Sequence, residues 1–164
     1  MVGAAVALLV VAGLLVWFQP YKLFLEDTVE EAVPSSAQTD PVTALVEDER
    51  PPKTLARGTF RSLEHTTSGR ALTLELADGT RYLRLEDLDT SNGPDLRVYL
   101  SKVPASDDWY AYGEGSIDLG ALKGNRGSQN YQLPPGLDPS DYRSAVIWCR
   151  RFSVGFGVAP LERT

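Results

Sequence analysis

The chain has 164 residues, 22 of them acidic against 16 basic, and a single cysteine. That length holds one domain of ordinary size plus appendages, and the one thiol excludes an internal disulfide and any multi-cysteine zinc or iron–sulfur centre. All of the net acidity falls between Lys22 and Pro52, where eight acids face two bases; residues 53–164 carry 14 of each, so the domain offers no electrostatic footprint for nucleic acid.

Met1 to Phe18 is uncharged, and Val6 to Val16 is almost wholly apolar. At the helical rise, eighteen residues span about 27 Å, close to the hydrocarbon thickness of roughly 30 Å, and Trp17, Tyr21 and Lys22 suit an interface. A signal peptide needs a basic leader and a small-residue cleavage site, and neither is clear in this stretch, so residues 1–21 are expected to be one uncleaved transmembrane helix. Residues 22–52 have the composition of an acidic flexible linker, with Pro34-Ser35-Ser36, Asp40-Pro41 and Pro51-Pro52. Lys22 alone would keep its side of the membrane cytoplasmic, a weak signal among so many acids.

Residues 53–164 change to short segments separated by turn residues. Thr59-Phe60-Arg61-Ser62-Leu63 precedes the polar loop His65-Thr66-Thr67-Ser68-Gly69. Ala71 to Leu76 and Arg81 to Leu85 then flank Asp78-Gly79, which predicts a two-residue type I′ hairpin. In that register Leu74 pairs with Leu83 and Leu72 with Leu85, and those leucines share one face. The acidic stretch Glu86 to Asp95 invites a calcium reading. With Asp87, Asp89 and Ser91 as the first EF-hand positions, Asn92 stands where glycine is required and Val98 where glutamate is required, so the EF-hand reading fails; a calcium site of another kind ranks low.

Pro104 to Gly115 is a loop carrying Trp109, Tyr110 and Tyr112, either a cover for the fold or a contact surface. Ser116 to Gly120 and Ser128 to Leu133 read as strands around the turn Gly124-Asn125-Arg126-Gly127. That turn lacks the GK[ST] element of a phosphate loop. Pro139 to Tyr142 suits a single helical turn. Ser144 to Ala159 is apolar and β-branched, and reads as two short strands or one broken at Arg150-Arg151. Eight or so short strands without a long amphipathic helix predict an all-β antiparallel sandwich or barrel behind the anchor and linker.

Cys149 has two readings. Free cysteine is commonly a buried small hydrophobe; a cation beside it, from Arg150, Arg151 or His65, would instead lower its pKa and make it reactive. Three stretches, Leu85 to Ser101, Asp118 to Tyr131 and Val146 to Phe152, together with His65 to Gly69, resemble the DM-thirteen domain, also called the electron transfer DM domain. The resemblance covers about Leu55 to Leu161. It implies a β-rich domain outside the cytoplasm, often tethered to the cell membrane, with Cys149 matching the family cysteine proposed as a redox group. No cytochrome segment accompanies it, so an electron donor would be a separate redox protein. The leading expectation is therefore a single-pass, extracytoplasmic redox accessory domain acting through the Cys149 thiol, with no cofactor of its own. The alternative is a binding or adhesion module that uses Trp109, Tyr110 and Tyr112, with Cys149 structural. A haem held by His65 and Cys149 ranks below both.

Overall fold

The strands after Pro52 carry apolar faces that need a partner layer, and the chain supplies it with a second sheet. The computed structural model describes residues 9–13, 15, 26–35 and 51–164. These contain eleven strands: β1 Thr28–Glu30, β2 Lys53–Thr59, β3 Arg61–Ser62, β4 Thr67–Glu75, β5 Arg81–Thr90, β6 Leu96–Ser101, β7 Ile117–Ala121, β8 Arg126–Gln132, β9 Ser144–Cys149, β10 Val154–Pro160 and β11 Glu162–Arg163. One sheet runs β1-β8-β5-β4-β2-β11 and the other β3-β10-β9-β6-β7. Every pairing is antiparallel except β1 on β8, which is parallel. Pro139–Asp141 forms one 3₁₀ turn, capped by the Asp138 carboxylate, which accepts from the Ser140 N–H.

Two parts of the expected architecture are corrected. Eleven strands replace about eight, because β1, β3 and β11 are two or three residues long and too polar to show an alternating pattern. The expected transmembrane helix is also not found: among the described residues no helix is long and apolar enough to cross a membrane. Residues 9–13 and 15 are helical, and the rest of 1–21 lies outside the described residues. Of the stretch assigned to the linker, 28–30 is a strand of the first sheet, and 36–50 lies outside the described residues.

The inter-sheet core joins Ala71, Leu83, Leu85 and Leu88 from one sheet to Leu96, Val98, Leu100, Ala145, Ile147, Cys149, Phe156 and Ala159 from the other. A second cluster, Tyr99, Tyr112, Val146, Trp148 and Val158, fills the outer face of the five-stranded sheet beneath residues 103–112. Strand β9 is therefore buried at all six positions, which accounts for its unbroken apolar run. At the bulge between Gly155 and Gly157, β10 changes phase, so Phe156 faces one core and Val158 the other.

The β4–β5 register is one residue away from the expected one. Leu74 pairs with Tyr82, Thr73 with Leu83 and Ala71 with Leu85. The Leu76 N–H donates to Thr80 O (2.9 Å) and the Gly79 N–H to Leu76 O (3.0 Å), with Gly79 at φ 83°. The loop is thus three residues ending in a left-handed glycine rather than a two-residue turn. Leu83 and Leu85 enter the inter-sheet core, whereas Leu72 and Leu74 stand on the opposite face with Arg84 and Tyr82.

This register separates two otherwise similar truncations. Leu83→Ala should cost about 2–5 kcal/mol in urea unfolding through the cavity it leaves, and Leu72→Ala, half-buried on the outer face, less than half as much. Equal costs would restore the register in which both leucines share one face.

Candidate functional site

Cys149 ends β9, opposite Leu96 on β6 and Val154 on β10, so its side chain points into the inter-sheet core and is fully buried. Burial pushes the thiol up from its ordinary range, partly opposed by backbone N–H groups of Phe152, Arg151 and Asp95 directed at the sulfur. The thiol is thus neutral at physiological pH and covered by the turn at residues 150–153. Ser153 in this turn holds φ 53°, a left-handed conformation that costs a non-glycine residue about 1 kcal/mol.

The charged groups expected beside the thiol go elsewhere. Arg150 is exposed and its Nε donates to Asp95 Oδ2 (2.9 Å), while its backbone N–H donates to Asp95 O (3.0 Å). Arg151 is exposed in the same turn and meets the sulfur through its backbone. His65 lies with its ring 3.9 Å from that of Phe156, and its Nε2 is 3.2 Å from Glu64 Oε2. Both arginines lie past the end of β9, in the turn that covers the sulfur, and both are exposed there.

The three aromatics of the 104–115 loop divide. Tyr112 is fully buried; its hydroxyl accepts from the Ser106 N–H (2.6 Å) and donates to Ser106 O (3.0 Å). It fastens the loop down and is closed to any partner. Trp109 and Tyr110 are 42% and 68% exposed, and Phe152 of the turn over Cys149 is 47% exposed. The loop is tied to β10, just past that turn, where the Gly155 N–H donates to Trp109 O (2.8 Å).

Among the described residues no group of three or more His, Cys, Asp or Glu is arranged to hold a metal. The acids considered for calcium are engaged instead, Asp87 with Arg70 (3.1 Å) and Asp89 with Arg126 (3.3 Å).

Sequence reasoning missed a polar cluster on the other sheet. Buried Gln129 accepts at Oε1 from the Lys123 N–H (3.0 Å) and from the Tyr131 hydroxyl (2.7 Å), and its Nε2 donates to Gly124 O (2.8 Å). Burial pushes the Tyr131 phenol up, keeping it a neutral donor. Lys123 Nζ reaches Glu31 (2.6 Å). The signal in the sequence was the pairing of an acidic run upstream with Gly124-Asn125-Arg126-Gly127.

Comparison with protein-family models matches one family, Electron transfer DM13, over residues 59–161, well over half of the chain. No curated protein and no solved structure matches.

Two outcomes follow from the burial of these groups. Tyr112→Phe should lower stability by about 1–3 kcal/mol, because it leaves the Ser106 N–H without its acceptor, whereas Tyr110→Ala should stay within about 0.5 kcal/mol; urea titrations read both. The neutral thiol, with its folded-state pKa above the unfolded one, stabilises the fold fully below about pH 8.5 and progressively less as pH rises. Stability measured from pH 7 to pH 10 should therefore fall more steeply in the native protein than in Cys149→Ala, and equal slopes would mean the thiol is not desolvated.

Proposed function

This chain belongs to the Electron transfer DM13 family, and on that premise we propose that its domain is a redox accessory module in which Cys149 is a covered thiol exposed by opening of the 150–153 turn. The observation carrying this reading is the cover over the sulfur: burial keeps the thiol protonated, and what lies over it is one short turn whose outer tie is the exposed Arg150–Asp95 bridge. The reaction open to a lone thiol is exchange with a disulfide on a separate redox protein. The Cys149 thiolate attacks one partner sulfur, the new S–S bond forms as the old one breaks, and the other partner sulfur leaves as a thiolate that takes up the proton Cys149 released. The family resemblance supports a working location outside the cytoplasm, where such disulfides persist.

A second reading rests on Trp109 and Tyr110 of the 104–115 loop and Phe152 of the 150–153 turn, all exposed aromatics. They suit a contact surface in a module that does no chemistry, with Cys149 as packing.

Native alkylation of Cys149, followed by intact mass, separates the two. The redox reading expects modification at least tenfold slower than for a free thiol but faster than global unfolding, with Arg150→Ala speeding it severalfold by releasing the turn from Asp95. Modification only at the rate of global unfolding, unchanged by Arg150→Ala, would make Cys149 a packing residue.

A further inference from the structure

The parallel strand β1 is held by far more than three ladder positions. Thr28, Val29 and Glu30 pair with Arg126, Gly127 and Ser128. On one side of them the Asp27 N–H donates to Asn125 Oδ1 (2.8 Å) and Glu26 pairs with Arg126 (2.8 Å). On the other, the Glu31 carboxylate accepts from Lys123 Nζ (2.6 Å) and from the Asn130 N–H (2.7 Å). The Arg84 side chain is almost wholly buried, and its Nη1 donates to Glu31 O (3.0 Å) and Ala32 O (3.2 Å).

The receiving edge is shaped for a close backbone. A side chain at Gly124 would strike Asp27 O, and one at Gly127 would strike Val29 O. Gly127 also sits at φ 93°, which other residues rarely adopt. The edge brings Arg84, Lys123 and Arg126 against a segment containing Glu26, Asp27, Glu30 and Glu31, so charge is complementary along its length. The glycine turn that resembled a phosphate loop in composition is thus a seat for a strand.

Every residue of that seat lies within the family match at 59–161, and the strand filling it lies outside. The occupant is joined to the domain by a long connection. Strands β1 and β2 stand four sheet positions apart, roughly 19 Å, while the chain from Glu31 to Pro52 has an extended reach of about 70 Å. Nothing in that length obliges the strand to return to its own domain.

We propose that the β8 edge, from Lys123 to Asn130 with Arg84 behind it, is a docking site for an acidic extended segment, filled by the chain's own residues 26–32 and equally suited to the same segment of a second copy. Tethering gives the strand's own domain an effective concentration on the order of millimolar, so the intramolecular form prevails in dilute solution. Exchange between copies replaces each contact with an identical one and yields a dimer.

A charge-swapped pair of full-length chains tests this. Glu31→Lys in one copy and Lys123→Glu in the other place like charges together within each chain and opposite charges between them. Each variant alone should be a monomer whose amides at 26–32 lose protection from hydrogen exchange. Mixing should give a one-to-one heterodimer with protection restored, and the double variant should regain protection as a monomer. Thermal unfolding verifies that each variant is folded. A second pair, Glu26→Arg with Arg126→Glu, should repeat the pattern if either of the first chains fails to fold. A mixture that stays monomeric, single variants as protected as the native chain, or dimers of either variant alone would overturn the proposal.

Discussion

Strand β9 is packed on both of its faces: Ala145, Ile147 and Cys149 point to the opposite sheet, and Val146 and Trp148 to the 103–112 loop. Neither cover is optional, since a strand apolar on both sides leaves on the order of 25 cal/mol unfavourable for each Å² of apolar surface not removed from water. The second cover is a loop rather than a helix or sheet, so its backbone must be satisfied by specific devices. Tyr112 supplies one by accepting from and donating to Ser106, and Trp109 supplies another through its carbonyl on Gly155. The bulge at Gly155–Gly157 lets β10 contribute Phe156 to one core and Val158 to the other. The position of Cys149 follows from the same constraint: it is the last inward residue before the turn, enclosed by side chains on one side and backbone on the other.

The first sheet has a different weak point, its β8 edge. Exposed sheet edges pair indiscriminately unless they are covered. Here the cover is a short parallel strand that gains only a few ladder bonds and relies on side chains for its hold. Glu31 illustrates the balance. Burial by itself pushes its carboxyl up, yet the bonds from Lys123 and the Asn130 N–H, with the charges of Lys123 and Arg84, outweigh that and hold it below the ordinary carboxylate range. An ionised Glu31 is therefore retained under conditions where an unpaired one would begin to protonate, and the register of the strand is fixed by this single carboxylate as much as by the backbone.

What was legible in the sequence was what periodicity and punctuation encode. The break at Arg150-Arg151, the single turn at Pro139 and the all-β class follow from apolar runs and turn residues, although the run itself left two strands and one interrupted strand both open. The β4–β5 register was not legible to one residue, because Ala77-Asp78-Gly79 suits a two-residue and a three-residue loop alike, and Thr73 is as acceptable opposite Leu83 as Leu74. Strand β1 was hidden for a different reason. An acidic segment with one valine has the composition of a tether, and only the distant glycines and cations that receive it make it a strand. The division among Trp109, Tyr110 and Tyr112 was equally hidden, since three neighbouring aromatics give no indication of which one turns inward.

The same reasoning bears on the arginines that follow Cys149. Adjacency in sequence suggested a cation at the sulfur, but Arg150 and Arg151 lie in the turn past the end of β9, and the Arg150 side chain turns outward to Asp95. The groups that do reach the sulfur are backbone N–H donors from the turn and from Asp95, and these are tied to the turn's conformation rather than to any residue's charge. Opening the turn would remove the Arg151 and Phe152 donors at the same moment that it admitted solvent. On the proposed reading the thiol is switched by geometry: closed, it is a neutral core residue; with the turn open, it would have water to solvate the thiolate and a route to a partner. The Arg150–Asp95 bridge, exposed on the arginine side and therefore worth little by itself, matters because it lies across that movement, joining the turn to the residue before β6.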